Sequence, residues 1–179
     1  IIFSFLEARK DKLDAIVITG GEPTLQRDLP EFIRKIKNAG FLVKLDSNGT
    51  NPGMLQLLIK EKLVDYIAMD IKAPLEKYNK VIHVKIDTNL IKEIIDSIMN
   101  SRLNYEFRTT FAKEVLTKTE IILIGKLING ARLYVLQKLI DRGKILNPLF
   151  MNSTQNYSDE ELKLIKQELL EHVTQCIIR

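Results

Sequence analysis

The chain has 179 residues, 45% of them hydrophobic and 28% charged, which is enough apolar material for a single packed domain and too much for a disordered polymer. Its 27 basic and 23 acidic residues leave a net charge of +4, with the two signs interleaved. That pattern fits a solvated helical surface better than a nucleic-acid patch. The single cysteine, Cys176, excludes a disulfide framework and any site built from several thiolates, and suits a reducing, cytoplasmic setting.

Ile1 to Leu6 is apolar except for Ser4, but it is too short to span a bilayer and no basic segment precedes it. Ile2, Phe5, Leu6 and Arg9 share a helical face with no capping residue in front. The chain is therefore expected to open inside a helix and to be a piece of something longer. Next comes an apolar run with strand character over 15–19, which leads into Gly20-Gly21-Glu22-Pro23-Thr24. Two glycines permit positive φ and close backbone approach, Glu22 offers an acceptor to a cation, and Pro23 sets the exit from the turn.

Leu29, Phe32, Ile33 and Ile36 follow at helical spacing, then a strand-like run over 41–45, a helix over 54–63 and a third strand over 66–69. Ile91, Ile94, Ile95 and Ile98 repeat the helical stripe, a fourth strand is expected over 105–109, a helix over 119–128 and a fifth strand over 132–136. Ser158-Asp159-Glu160-Glu161 forms a capping box ahead of Leu162, Ile165 and Leu169, and 173–178 reads as a last strand. The stretches 74–87 and 147–157 read as loops, neither of them an interdomain linker, so 1–179 is expected to be one domain.

Strands alternating with helices predict βαβ units and a parallel sheet, barrel-like or open, in the α/β class. In both forms ligands lie at the carboxyl ends of the strands. The residues there are Gly20 to Thr24, Asp46-Ser47-Asn48-Gly49-Thr50, Asp70-Ile71-Lys72, Arg108 and Gln137. Such a set suits a small zwitterion: carboxylates and carbonyls receive an ammonium, and Lys or Arg holds a carboxylate. Taken singly, a Gly-Gly turn is commonly a plain turn, and Asp70 with Lys72 is as readily a structural ion pair. Their recurrence after successive strands favours a site.

Ile18 to Leu25, Leu45 to Thr50 and Met69-Asp70-Ile71-Lys72-Ala73-Pro74 together resemble the radical S-adenosylmethionine (SAM) enzymes that activate glycyl-radical enzymes, above all those serving anaerobic ribonucleoside-triphosphate reductase. The resemblance implies a partial (β/α)6 TIM-like barrel that binds SAM and a [4Fe-4S] cluster, fed by an electron donor. In the intact family member, reductive SAM cleavage leads to a glycyl radical on the partner enzyme. Carried over, Gly20, Gly21, Glu22 and Pro23 would hold the SAM amino group, with Asp46 and Ser47 beside the amino-acid moiety and Lys72 directed at its carboxylate. Asp70, Arg108 and Gln137 would line the same ligand, and Asp46 and Asp70 could share a monovalent cation. No catalytic acid, base or nucleophile is implied.

The family's Cys-x3-Cys-x2-Cys cluster loop is missing from this sequence. The expectation is therefore a barrel lacking its first strand and cluster loop, inactive in radical chemistry by itself. Two rivals stand beside it: a radical SAM enzyme acting on RNA or a small metabolite, and a cluster-less SAM-binding or scaffold module.

Overall fold

The computed structural model describes residues 2–139 and 156–179. A short helix α1 (Ile2–Glu7) precedes strand β1 (Ala15–Ile18), helix α2 (Leu29–Asn38), β2 (Leu42–Ser47), α3 (Pro52–Lys60) and β3 (Tyr66–Asp70). Then come α4 (Leu75–Ile82), α5 (Thr88–Asn100), β4 (Asn104–Phe111), α6 (Lys118–Leu127), β5 (Leu133–Lys138), α7 (Asp159–Leu169) and β6 (Gln175–Ile178). The chain divides into two compact units, Ile1–Met69 with Asn89–Tyr105, and Asp70–Thr88 with Glu106–Arg179.

In the first unit β1 runs parallel to β2, with Ala15 opposite Leu42, and β2 parallel to β3, with Lys44 opposite Tyr66. Parallel strands read as nearly continuous apolar runs because helices cover them; Val43, Leu45, Ile67 and Met69 are wholly inaccessible. The α2 stripe is buried through Leu29, Ile33 and Ile36, and Phe32 meets Phe3 edge-on at 5.7 Å between centroids. Ile91, Ile94, Ile95 and Ile98 are the buried residues of α5, as their spacing predicts. Asp65 ties the unit together by accepting from Lys37 Nζ at 2.6 Å and from the Val43 amide at 2.7 Å.

In the second unit β4 pairs in parallel with β5, Phe107 opposite Tyr134, and β5 with β6, Leu133 opposite Gln175. Helices α6 and α7 each begin with a complete capping box, Thr117 with Glu120 and Ser158 with Glu161. Each box satisfies two backbone donors that the helix ladder leaves unpaired. Gly125 lets α7 approach α6: a Cβ there would lie 2.5 Å from Leu169 Cδ2.

The structure corrects several sequence-based boundaries. Helix α3 starts at Pro52 instead of 54, because Asn51 caps it by accepting from the Met54 amide and Pro52 takes the first helical position. Residues 74–87 are not a loop. They hold α4, which buries chiefly Tyr78 and so lacks a broad apolar stripe. Two helices, not one, therefore follow β3. Asp46, Ser47 and Asp70 close their strands instead of lying beyond them. The final strand is Gln175–Ile178, two residues shorter at its start than expected. Most of the expected loop 147–157 lies outside the described residues; Tyr157, at its end, donates to the Leu116 carbonyl at 2.8 Å.

Candidate functional site

The first set of site residues lies in the first unit. Gly20 has φ +133°, a conformation that disfavours side chains, and a Cβ built at Gly20 or Gly21 would meet nothing within 4 Å. The backbone there borders open space, as a ligand-facing loop requires. Pro23 opens a single 3-10 turn, Pro23–Leu25, which Glu22 caps. The Glu22 carboxylate reaches well beyond that turn. Its Oε1 accepts from the Thr24 amide at 3.2 Å, from Thr24 Oγ1 at 2.5 Å and from Ser47 Oγ at 2.9 Å. Its Oε2 accepts from the Asn48 amide at 2.7 Å. One carboxylate thus joins the loop after β1 to the end of β2.

The loop after β2 is tied internally as well. Ser47 Oγ accepts from the Gly49 amide at 3.1 Å, and Asn48 Oδ1 accepts from the Thr50 amide and hydroxyl at 2.9 and 2.7 Å. Asn51 Nδ2 donates to the Thr24 carbonyl at 2.7 Å. Gly49 sits at φ +75°, and a Cβ there would overlap Met69 Cε. Asp46 lies 3.7 Å from Lys44 Nζ, and that ammonium also stands 5.2 Å over the Tyr66 ring. Beside the glycine loop is a cleft of about 500 Å³, lined among others by Thr19, Gly21, Glu22, Leu25 and Phe32.

The second set lies in the second unit. Asp70 Oδ2 accepts from Lys72 Nζ and its Oδ1 from Arg108 Nε, both at 2.8 Å. Behind Arg108, at 3.9 Å from Nη1, is Glu106, a carboxylate only 2% exposed that Arg179 also meets at 3.3 Å. The backbone is locked at the same point: the Ile71 amide donates to the Arg108 carbonyl, and Thr109 Oγ1 donates to the Ile71 carbonyl, each at 2.8 Å. Tyr134 in turn donates to Thr109 Oγ1 at 2.8 Å, and burial raises its phenol above the ordinary range. Burial also pushes the Tyr78 hydroxyl, close to Asp70, up to about 12. Gln137 lies on β5 opposite Thr110.

The structure thus brings Glu22 together with Ser47, and Asp70 together with Lys72 and Arg108. It pairs Asp46 with Lys44. Sequence reasoning missed Asn51, whose signal was the Asn-Pro pair at a helix start. It also missed Glu106, whose signal was a carboxylate inside the apolar strand segment Tyr105 to Phe107.

Cluster ligation can be tested on the donors present. Cys176 is 2% exposed on β6, and burial pushes its thiol up to about 11, away from the thiolate that binds iron. Among the described residues no group of three His, Cys, Asp or Glu side chains is placed to hold a metal ion. The residues of this chain do not fit a [4Fe-4S] cluster.

Residues 4–112 match the radical SAM superfamily, and the chain belongs to it. It is 42% identical over 130 residues to a Methanocaldococcus jannaschii protein named "Putative glycyl-radical enzyme activating enzyme", covering 70% of this chain and 54% of the relative. Against a Sulfurisphaera tokodaii protein named "Probable GTP 3',8-cyclase" the identity is 27% over 176 residues, 92% of this chain and 51% of that one. The chain spans about half the length of these relatives. Among solved structures, a domain of pyruvate-formate lyase-activating enzyme from Bacteroides vulgatus superposes with a TM-score of 0.69 at 14% identity, covering 92% of this chain and 98% of the domain. The α/β class and the radical SAM type of fold expected from the sequence are borne out.

Proposed function

We propose that this chain is the SAM-binding portion of a radical SAM enzyme that activates a glycyl-radical enzyme in the cytoplasm, with anaerobic ribonucleoside-triphosphate reductase as the partner. The observation that carries this reading is the Gly20 to Pro23 loop, open beside both glycines at the end of a parallel strand inside the superfamily match. In the first unit, that loop with Asp46 and Ser47 supplies the acceptors for the ligand's ammonium end. In the second, Lys72 and Arg108, anchored on Asp70, supply cations suited to a carboxylate, with Gln137 as a neutral neighbour.

Bound SAM would supply the radical once an electron donor outside this chain reduces its sulfonium, and the residues of this chain orient it. They need no acid, base or nucleophile for that task. The donors of this chain, with a single buried cysteine, do not fit an iron-sulfur cluster.

Calorimetric titration of SAM into the chain and into Lys72→Ala tests the carboxylate contact. The variant is expected to bind at least about tenfold more weakly, the loss of one charge-assisted contact; equal binding rejects the contact. The partner reading is tested by anaerobic incubation of the full-length protein with SAM, reductant and the reductase. A glycyl-radical resonance supports it, and its absence rejects it. The likeness to a GTP cyclase along 92% of the chain favours a small nucleotide as the second reading, for which GTP replaces the reductase in the same assay.

A further inference from the structure

We propose that Glu106 is a positioning residue: its buried carboxylate holds the Arg108 guanidinium in place for the carboxylate end of the ligand. The inference rests on the SAM reading above and adds to it a residue that touches no ligand. Glu106 and Arg108 stand two positions apart on β4, so their side chains leave the same face of the strand. The Glu106 side chain is 2% exposed, and a carboxylate so far from water is retained only where cations compensate it. Two guanidinium groups do so, one at each oxygen. Arg108 Nη1 lies 3.9 Å from Oε1, and Arg179 Nη2 donates to Oε2 at 3.3 Å.

Arg179 is anchored through its backbone. Its amide donates to the Leu136 carbonyl at 2.8 Å and its carbonyl accepts from the Lys138 amide at 2.9 Å, so its side chain starts from a fixed point beside β5. On the other side, Arg108 Nε donates to Asp70 Oδ1, and Asp70 Oδ2 accepts from Lys72 Nζ. Arg179, Glu106, Arg108, Asp70 and Lys72 thus form a row of alternating sign. Three cations face two carboxylates in that row, and the excess of one positive charge matches a ligand with one carboxylate. Asp70 is shared with Lys72, so alone it constrains Arg108 loosely. The Glu106 charge, acting between side chains 2% and 13% exposed, is little screened and draws the guanidinium back along β4. Glu106 therefore decides where Arg108 presents its donors.

The test uses Glu106→Gln and Glu106→Asp in the full-length protein. Exchange of the Arg108 Nε proton with water is followed by NMR without ligand, with Arg108→Lys to assign the resonance. It is expected to quicken about tenfold in Glu106→Gln, as the ion pair that steadies the guanidinium is lost. Affinities for SAM and for decarboxylated SAM are then compared. Glu106→Gln should weaken SAM about fivefold or more, the loss of a well-placed charge-assisted contact, and leave the decarboxylated compound within about twofold. Glu106→Asp keeps the charge but withdraws it by one methylene, so it should give a smaller loss of the same selectivity; it also carries the test if Glu106→Gln does not fold. In an Arg108→Lys background neither change should add to the loss. Equal losses for both compounds, or unchanged Nε exchange with unchanged SAM affinity, overturn the proposal. If the unaltered protein binds neither compound, the SAM reading fails, and the exchange result still decides whether Glu106 holds Arg108.

Discussion

Asp70 and Arg108 are joined by their side chains, Oδ1 accepting from Nε at 2.8 Å, and one residue further along the chain the Ile71 amide donates to the Arg108 carbonyl at 2.8 Å. A side-chain ion pair is thereby fixed by backbone geometry, and its carboxylate keeps its second oxygen for Lys72. The Arg108 side chain is 13% exposed and that of Asp70 26% exposed, so the pair is partly desolvated.

Asp70→Asn should destabilise the chain by about 1–2 kcal/mol, since it removes the charge that Lys72 and Arg108 share and leaves the largely buried Arg108 guanidinium leaning on Glu106, 3.9 Å away. Lys72→Met should cost less than about 1 kcal/mol, because that ion pair is more exposed and is screened. Urea unfolding of both variants gives the comparison. Equal losses would mean that Arg108 does not depend on Asp70.

Gly49 is expected to resist substitution. Gly49→Ala places a Cβ at φ +75° and onto the Met69 thioether end, in a packed interior. Left-handed strain and overpacking together predict a loss of about 2–4 kcal/mol. A shift of the denaturation midpoint measures it, and a midpoint within error of the unaltered chain would show that Met69 relocates at no cost.

The start of α7 should sense acid. The Lys113 ammonium bonded to Glu161 at 2.8 Å, and then the Ser158 amide, hold the Glu161 carboxyl below its ordinary 4.5. A depressed folded value means that the stabilisation is complete above the ordinary value and is lost as pH falls through the folded one. Titration of Glu161 by NMR should therefore move upward in Lys113→Met, and the acid-side loss of stability should flatten. An unmoved titration would exclude the lysine as its cause.

Cys176 should behave as a packing residue. With its thiol raised to about 11 and 2% exposed, it is expected to resist iodoacetamide at pH 8 in the folded chain and to react fully once unfolded. Anaerobic incubation of the chain with iron and sulfide should give no cluster absorbance. Rapid alkylation of the folded chain, or a stable brown chromophore, would overturn this assignment.

Much of the fold was legible because its determinants are local. The isoleucine stripe of α5, the capping box of α7 and the apolar runs of the strands are written at fixed spacings, and burial follows them. Helix α4 escaped because Tyr78 is its one buried residue, Leu75, Val81 and Ile82 staying part-exposed among polar neighbours. The candidate site was legible as a list of strand-end residues, since parallel topology dictates where ligands lie. Their pairings were not legible, because nothing in the spacing of Glu22 and Ser47 says that a carboxylate of one loop will cap the next.

By itself the sequence determined the α/β class, the strand-end positions of Gly20 to Pro23, Asp46, Asp70 and Lys72, and, through its single cysteine, the absence of several thiolates in this chain. Only the tertiary structure decided that Glu22 accepts from donors of two loops, three of them on Oε1 and one on Oε2, and that Asp70 holds Arg108 as well as Lys72. The reason is physical: helical and strand periodicity depends on neighbours along the chain, whereas the partner of a partly buried charge is whichever donor the packing brings within about 3 Å.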